Sequence, residues 1–333
     1  MTNPETRPLL QWSAAMALSG TIGAVVLESG AAAPAVAFVR CLVGGLLLVV
    51  WCLIRGYFRT WRPTRRDLLP AALGGVLLVA NWVLLFTSYS LSSIGVSTVV
   101  YRTQPLILVG LAAAFLGERV AKSHLARAGV AFAGVVVISV SAHGDDGQPV
   151  HLAGIALARG AAVLYAGTSF VAKQLTHLRP HVLAAVQLVV GAVLLAPALA
   201  FTPLPHSVPG LLWLVLLGTV HTAVMYVLMY ASIGKLPTTT VALLSYLYPV
   251  VAVVVDVLAF GHRLTWPEGL GMLAVLAAVL APRRNPPTTT TAAAPVSQRD
   301  GRRPETGLVT RDSGQCGTRT PGHRSRTAAP RGR

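Results

Sequence analysis

Residues 101–119 read YRTQPLILVGLAAAFLGER, and residues 245–263 read SYLYPVVAVVVDVLAFGHR. In each stretch a proline, Pro105 or Pro249, is followed twelve residues later by Gly-Glu-Arg or Gly-His-Arg, and the two stretches are offset by 144 residues. Nearly every residue between the proline and the triplet is apolar. The recurrence predicts two related halves, each with an apolar helix that its proline kinks. The alternative is that this spacing recurs by chance.

The composition predicts an integral membrane protein. Hydrophobic residues make up 54% of the 333 residues and charged residues only 11%, whereas a soluble domain carries roughly 25% charged residues. Apolar runs of about 20 residues, the length that crosses a bilayer as a helix, recur along the chain. They predict an all-α fold of ten transmembrane helices, at 9–27, 33–54, 69–88, 94–116, 126–142, 153–174, 182–201, 210–231, 238–260 and 266–282.

The basic residues of the loops predict the orientation, because cytoplasmic loops are enriched in Lys and Arg. Fourteen Lys and Arg fall at one side of the predicted membrane, and only Arg263 falls in the loops of the other side. We expect a multi-pass protein of the cell membrane with both termini in the cytoplasm. Five helices in each half is an odd number, so the second half must be inverted, a common transporter plan with the substrate site between the halves.

The predicted organisation is a five-helix repeat in 1–142, an inverted repeat in 143–284 and a basic tail in 285–333. The tail is rich in Arg, Pro, Thr and Gly and cannot bury a core, so we expect it to be disordered and cytoplasmic. It has almost no aromatic residues to stack on bases, and nucleic-acid binding is not expected. The three cysteines have no metal-site spacing, and no metal or other cofactor is expected.

Polar groups inside apolar spans are costly and are therefore candidates for function. His221 would carry a coupling proton, because histidine titrates near neutral pH. Pro105 and Pro249 are candidate helix hinges, because proline removes a backbone hydrogen bond. Ser245, Tyr248 and Asp256 recur at helical spacing on one face of the ninth span. The candidates for the substrate cavity are Arg40, Asn81, Trp82, Tyr101, Arg102, Tyr165, His221, Tyr226, Ser245, Tyr248 and Asp256.

Two main roles are open for the arginines inside the spans, Arg40, Arg102 and Arg159. They would either pair with acids as clamps that close the outer face, or line an outer vestibule and bind a carboxylate or phosphate. Extension of the side chains to the outer headgroups is the third alternative. The polar and tyrosine candidates would otherwise form hydrogen bonds between packed helices.

Several segments, in order, resemble the helices of the EamA type of the drug/metabolite transporter superfamily. They are LESGAAAPAVAFVRCLVGG (27–45), ANWVLLFTSYSLSSIGVS (80–97), VVYRTQPLILVGLAAAFLGERV (99–120), GTVHTAVMYVLMYASIGKLP (218–237) and LLSYLYPVVAVVVDVLAFGHRLT (243–265). The resemblance covers about 9–282. It implies that four helices of each half surround a central cavity and that the fifth packs outside. Gly-His-Arg at 261–263 departs from the Gly-Glu-Arg common in the family.

The resemblance implies transport of amino acids, other metabolites, nucleobase-like compounds or drugs, mostly outward and in some members by proton exchange. We therefore expect a secondary transporter, an exporter or exchanger of a small polar organic metabolite such as an amino acid or derivative, working by alternating access. Its expected partners are the solute, the lipid bilayer and a coupling proton. A non-transporting membrane sensor or assembly subunit is the alternative. The sequence has no P-loop and no H-E-x-x-H motif, and no enzyme activity is expected.

Overall fold

The computed structural model describes residues 6–60, 64–118, 120–143, 151–202 and 204–281. Over these ranges the chain is helical and contains no strand. The predicted tail, 285–333, lies outside the described residues. Helices α1 to α7 are Thr6–Ser29, Ala33–Ile54, Tyr57–Thr60, Arg65–Leu91, Ile94–Tyr101, Gln104–Phe115 and Lys122–His143. Helices α8 to α14 are Leu152–Gln174, Pro180–Leu195, Val208–Gly218, Met225–Ile233, Thr238–Ser245, Leu247–Phe260 and Trp266–Leu280.

Short irregular segments join some of these helices into longer spans. A 3₁₀ turn, Ala196–Ala200, extends α9, and a π-helical segment, Thr219–Val224, connects α10 to α11. Within the described ranges nine helical stretches are long and apolar enough to cross a membrane. The expected tenth span is the 15-residue helix α14, about 22 Å long at 1.5 Å per residue. The all-α, multi-pass membrane fold is confirmed, and the count of ten spans stays a prediction.

The chain passes from one end of the bundle to the other with each span. We call the basic end the end where α2, α6, α8 and α11 stop, because the basic loops lie there, and we call the other one the far end. At the basic end the ring of His177, in the loop after α8, lies 2.9 Å from a carboxylate oxygen of Asp67 in the first turn of α4. Arg127 of α7 donates hydrogen bonds of 2.8 Å to the carbonyl oxygens of Ala278 and Ala281 at the end of α14. These contacts agree with the alternating directions of the spans.

The packing of the helices repeats when the two predicted halves are exchanged. Helix α4 packs along α8, and in the same way α10 and α11 pack along α1. Helix α9 contacts α4, as α10 contacts α2. Two pairs, α2 with α9 and α7 with α14, join equivalent helices of the two halves. We propose that the halves are inverted repeats about a two-fold axis, since such an axis would produce these paired contacts.

Two spans are interrupted just before the prolines that the sequence comparison singled out. Helix α5 ends at Tyr101 and α6 begins at Gln104, while α12 and α13 are separated by a turn at Tyr246. Pro105 and Pro249 lie in the first turns of α6 and α13. Proline donates no backbone hydrogen bond and crowds the carbonyl group four residues before it, so a regular helix does not continue through this position.

The two interruptions meet inside the bundle. The hydroxyl of Tyr246 donates a hydrogen bond of 3.4 Å to the carbonyl oxygen of Arg102. These residues are 144 positions apart, which is the offset between the two repeated stretches. The points where the backbone is least regular in the two halves therefore contact each other, and the side chain from one satisfies a backbone oxygen of the other.

Helices α7 and α14 approach closely through facing glycines. A Cβ atom on Gly134 would lie 2.6 Å from the carbonyl oxygen of Gly271, and the reverse substitution meets the oxygen of Gly134 at the same distance. Small residues allow this approach of backbones, which is a usual way to pack helices in lipid. The pair shares a small apolar cluster with α12 and α13, to which Val135 and Val275 contribute.

Gly134→Ala is expected to lower the free energy of unfolding by about 1–3 kcal/mol, because the added methyl group overpacks the contact with α14. Gly129→Ala is the matched control on the same helix, since no atom lies within 4 Å of its added Cβ. Thermal unfolding in detergent compares the two variants. Equal midpoints for both would contradict the close α7–α14 contact.

Candidate functional site

Arg40 is the centre of a buried polar cluster between the two halves. Its side chain is 8% exposed. The Nε atom donates a hydrogen bond of 3.1 Å to the hydroxyl of Thr222, and Nη2 donates one of 3.3 Å to the carbonyl oxygen of His221. The guanidinium carbon lies 4.8 Å from the centre of the Trp82 ring, a cation–π distance. Helices α2 and α4 of one half thus meet the eighth span of the other half at this arginine.

The π-helical segment provides the partners of Arg40. The hydroxyl of Thr222 also donates a hydrogen bond of 2.9 Å to the carbonyl oxygen of Leu217, five residues earlier. The widened turn presents the Thr222 hydroxyl and the His221 carbonyl to the same guanidinium group. Such turns are often found at functional sites. The sequence contains no proline or glycine signal inside 219–224 that would predict the π segment.

Tyrosines from several helices surround Arg40. The hydroxyls of Tyr226, Tyr165 and Tyr101 are its electrostatic neighbours. The rings of Tyr101 and Tyr165 meet edge to face with centres 6.2 Å apart. Asn81 is fully buried beside Tyr101. The structure thus brings together six of the predicted cavity residues, which are Arg40, Asn81, Trp82, Tyr101, Tyr165 and Tyr226.

The cluster extends to two residues outside the list of cavity candidates, and one of them, Tyr230, shares a helical face with Tyr226 in the eighth span. The Tyr230 ring lies 5.7 Å from that of Tyr226, and its hydroxyl donates a hydrogen bond to the side-chain oxygen of Gln187. Gln187 is 1% exposed. A polar side chain inside the apolar run 182–201 is the feature of the sequence that could have marked Gln187 as a candidate. The spacing of residues in the sequence did not indicate that Gln187 pairs with Tyr230 of the eighth span.

Arg102 lies at the interruption of the fourth span and has different surroundings. Its guanidinium carbon lies 3.4 Å from the centre of the Tyr248 ring. Its Nε and Nη1 atoms are buried and have no hydrogen-bond partner. Its electrostatic neighbours are the hydroxyls of Tyr89, Tyr101 and Tyr246. Because Tyr101 also neighbours Arg40, this tyrosine connects the two arginine environments.

The other predicted site residues are placed differently. His221 lies 2.8 Å from the hydroxyl of Thr21 through its Nε2 atom, next to the Arg40 cluster. Ser245 accepts a hydrogen bond of 3.3 Å from the Trp12 indole and donates one to a backbone oxygen of its own helix. It belongs to α12, whereas Tyr248 and Asp256 belong to α13. The expected stripe is therefore not on one continuous helix, because the turn at Tyr246 divides it.

Asp256 lies near the far end, where a cavity of about 320 Å³ opens. Leu27 of α1, Phe260 of α13, and His262 and Glu268 around the α13–α14 loop also line this cavity. His262 Nε2 lies 3.4 Å from a carboxylate oxygen of Glu268. This histidine occupies the position of the glutamate in the Gly-Glu-Arg triplet of the first half.

The basic end carries an ionic contact between the halves. Glu118 lies 2.5 Å from the Nζ atom of Lys173, and its other oxygen accepts a hydrogen bond of 3.1 Å from the backbone N–H of Thr238. Lys173 also donates to the Thr238 hydroxyl. Burial favours a higher pKa for Glu118, but the hydrogen bonds from Lys173 and Thr238 outweigh it and hold the pKa below its ordinary value. The sequence marked Glu118 only as part of a triplet and did not indicate its partners.

No carboxylate lies against the buried arginines in the part of the chain that the structure describes. The carboxylates of Glu118, Asp67 and Glu268 lie against Lys173, His177 and His262 instead. The neighbours of Arg40 and Arg102 are tyrosines, a cysteine, a tryptophan and backbone or hydroxyl oxygens. The alternative in which arginines and acids clamp the outer face is therefore not what these residues form. Arg159 is exposed on α8.

Comparison with known proteins identifies the fold and the class. The model of the EamA-like transporter family matches residues 9–140 and, a second time, residues 152–281. The chain belongs to the EamA-like transporter family. It is 28% identical over 266 residues to the uncharacterized transporter YxxF of Bacillus subtilis (strain 168), covering 79% of this chain and 85% of the relative. It is 27% identical over 279 residues to the uncharacterized transporter YwfM of the same organism, covering 80% and 90%.

A solved crystal structure has the same fold as this EamA-like transporter. It superimposes with a TM-score of 0.72 and covers 83% of this chain and 96% of its own, at 20% sequence identity. The family, the relatives and the apolar helices together establish a multi-pass membrane transporter, as the sequence resemblance implied. Among the described residues no group of His, Cys, Asp and Glu is arranged to hold a metal ion.

The ionic contact of Glu118 is expected to stabilise the transporter only while the carboxylate is charged. Because its pKa is lowered on folding, the contribution is complete above the ordinary value of 4.5 and is lost as the pH falls through the lower folded value. The thermal midpoint of the wild type should therefore exceed that of Glu118→Gln by a constant amount near neutral pH. This difference should fall towards zero as the pH is lowered below 4.5. Glu28→Gln, at the exposed end of α1, is the control. A difference that persists unchanged below pH 4.5 would contradict the charged contact.

Proposed function

We propose that this EamA-like transporter exports or exchanges a small polar organic metabolite, such as an amino acid or a derivative of one, by alternating access. The supporting observation is the buried cluster around Arg40, which side chains from both halves build. Transporters with repeated halves commonly bind their substrate near the midplane at such an interface. Aromatic walls with a few placed polar groups are typical of small-molecule sites.

The two ends of the bundle differ in a way that fits one state of an alternating cycle. At the basic end, Glu118 of one half binds Lys173 and Thr238 of the other, so the halves are held together there. At the far end the cavity beside Asp256 opens. The basic loops predict that both termini are in the cytoplasm, and in that case the basic end faces the cytoplasm. The cycle would then require the Glu118 contact to break while the far end closes.

The interrupted spans are the proposed moving elements. The turns before Pro105 and Pro249 contact each other through Tyr246 and the carbonyl oxygen of Arg102. At each interruption a backbone N–H bonds to the third carbonyl back, Thr103 to Val100 and Tyr246 to Leu243, and we propose that the segments on its two sides change their relative angle there. A change at one interruption is transmitted to the other by this contact, which would couple the two ends.

Flux measurements test the proposed activity. The purified transporter, reconstituted in proteoliposomes, is expected to exchange at least one labelled solute from a panel of amino acids, their N-acetyl derivatives and the corresponding keto acids. Empty liposomes and a Trp82→Ala variant are the controls, because the variant removes the aromatic partner of Arg40. Neither flux nor thermal stabilisation by any compound would contradict the proposal and favour a non-transporting protein.

Locking the basic end is expected to stop transport. Glu118→Cys combined with Thr238→Cys, in a background without the native cysteines, should lose flux on oxidation and regain it on reduction. The controls are the single variants Glu118→Cys and Thr238→Cys in the same background, which cannot form the cross-link. Full flux in the oxidised Glu118–Thr238 pair would contradict opening at this end.

His221 is the proposed carrier of a coupling proton, since its ring contacts Thr21 and its carbonyl oxygen contacts Arg40. His221→Gln is therefore expected to abolish solute movement driven by a pH gradient and to retain at least part of the solute exchange without a gradient. His206→Gln, at an exposed loop position, should leave both unchanged. Gradient-driven transport that survives in His221→Gln would assign this histidine to helix packing alone.

A further inference from the structure

Arg40 is buried and Arg102 is half-buried, and together they create a charge that the described part of the protein does not balance. Arg40 is held by a hydroxyl, a backbone oxygen and an indole ring, and Arg102 by a tyrosine ring. None of these groups carries a negative charge at neutral pH. Moving a positive side chain into a bilayer is costly unless a partner compensates it. The arrangement therefore favours binding of a negative group from outside the chain.

The carboxylates of the described residues are all engaged or placed elsewhere. Asp67, Glu118 and Glu268 each lie against a histidine or lysine. Glu28 and Asp256 are exposed towards the far end. None of the five is an electrostatic neighbour of Arg40 or Arg102. An acid from this part of the protein does not neutralise the arginines in this state.

Arg102, unlike Arg40, has N–H groups that have no hydrogen-bond acceptor. Its Nε and Nη1 atoms are removed from solvent and have no acceptor. Leaving buried donors of a charged group unpaired costs more than leaving neutral ones unpaired. Arg102 is the C-cap residue of α5 and precedes the start of α6 at Gln104 by two residues. The unpaired donors favour an anionic acceptor at the interruption of the fourth span.

The aromatic side chains near the two arginines indicate the chemistry of the uncharged part of the ligand. Trp82, Tyr101, Tyr165, Tyr226 and Tyr248 contribute ring faces and edges near the two guanidinium groups. Rings of this kind pack well on a flat apolar body. Tyr101 is an electrostatic neighbour of both arginines. No carboxylate stands among these side chains to receive an ammonium group.

We infer that the substrate is a small organic anion with an aromatic or similarly flat body and no ammonium group, and that Arg102 binds its negative group. This inference rests on the proposed transport function and narrows its substrate class. Within amino-acid derivatives it selects those whose amino group is absent or masked. A carboxylate and a phosphate ester offer the same charged oxygens to Arg102, and separate probes distinguish them.

The experiment compares matched probes on the full-length transporter. 4-Hydroxybenzoate and phenyl phosphate are the anions, 4-hydroxybenzamide is the neutral analogue, and tyramine is the cation. Thermal shift and competition for proteoliposome flux are measured with each. At least one anion should stabilise the protein and compete with an apparent affinity about tenfold or more above that of the amide. Equal affinity for the amide, or preference for tyramine, would overturn the inference.

Two variants separate binding from folding. Arg102→Gln should weaken the preferred anion about tenfold towards the affinity of the amide, while its unliganded thermal midpoint stays the same or rises because an unbalanced buried charge is gone. Arg159→Gln, which changes an exposed arginine of α8, should change neither quantity. Unchanged anion affinity in folded Arg102→Gln would overturn the role of Arg102. If this variant does not fold, the acid and amide comparison on the wild type decides.

The outcomes also separate this inference from the proposed function. Flux of neutral or cationic solutes alone would leave transport supported and would overturn the anionic class. Stabilisation by an anion that Arg102→Gln abolishes, without flux of any solute, would support the anion site and overturn transport. Neither stabilisation nor flux with any probe or panel compound would overturn both.

Discussion

Inside a bilayer the polar groups of a protein find no water, and each has to be satisfied by another part of the chain or by a ligand. This constraint explains where the helices of the transporter are regular and where they are not. Pro105 and Pro249 interrupt two spans, and the carbonyl oxygen of Arg102 at one interruption is satisfied by Tyr246 at the other. The π-helical segment of the eighth span likewise has its Thr222 hydroxyl and His221 carbonyl group bonded to Arg40. The irregular segments of different helices therefore lie where they can satisfy one another.

The same constraint gives significance to buried polar atoms without a hydrogen-bond partner, which among the described residues belong to Asn81, Ser92, Arg102, Gln187 and His221. Arg102 retains buried N–H groups without an acceptor, although the tyrosines around it are hydrogen-bonding side chains. In a transporter, a missing hydrogen-bond acceptor is suited to a substrate that binds and leaves. The substrate provides the acceptor while it is bound, and the N–H groups are unpaired again after its release. A permanent acid at this position would satisfy the arginine but would also compete with an anionic solute.

The two ends of the bundle differ because the repeat is imperfect. Glu118 joins the halves at the basic end through Lys173 and Thr238. The equivalent residue at the far end is His262, which contacts Glu268 within the α13–α14 region beside an open cavity. At the far end the residue equivalent to Glu118 therefore forms its ion pair within its own half and not between the halves. Small differences of this kind allow two related halves to favour opposite ends of an alternating cycle.

The amino-acid sequence by itself determined the membrane class, the positions of most spans and the family. These follow from apolar runs and short motifs, which are local properties of the chain, and the predicted bounds 33–54 and 238–260 agree with Ala33–Ile54 and Thr238–Phe260. It also identified Arg40, Trp82, Tyr101 and Tyr226 as candidates, because polar and aromatic groups stand out in apolar spans. Only the tertiary structure decided their partners. Arg40 and Thr222 are 182 residues apart, and Glu118 and Thr238 are 120 apart. Such pairs depend on how whole helices pack, which no spacing within one helix encodes.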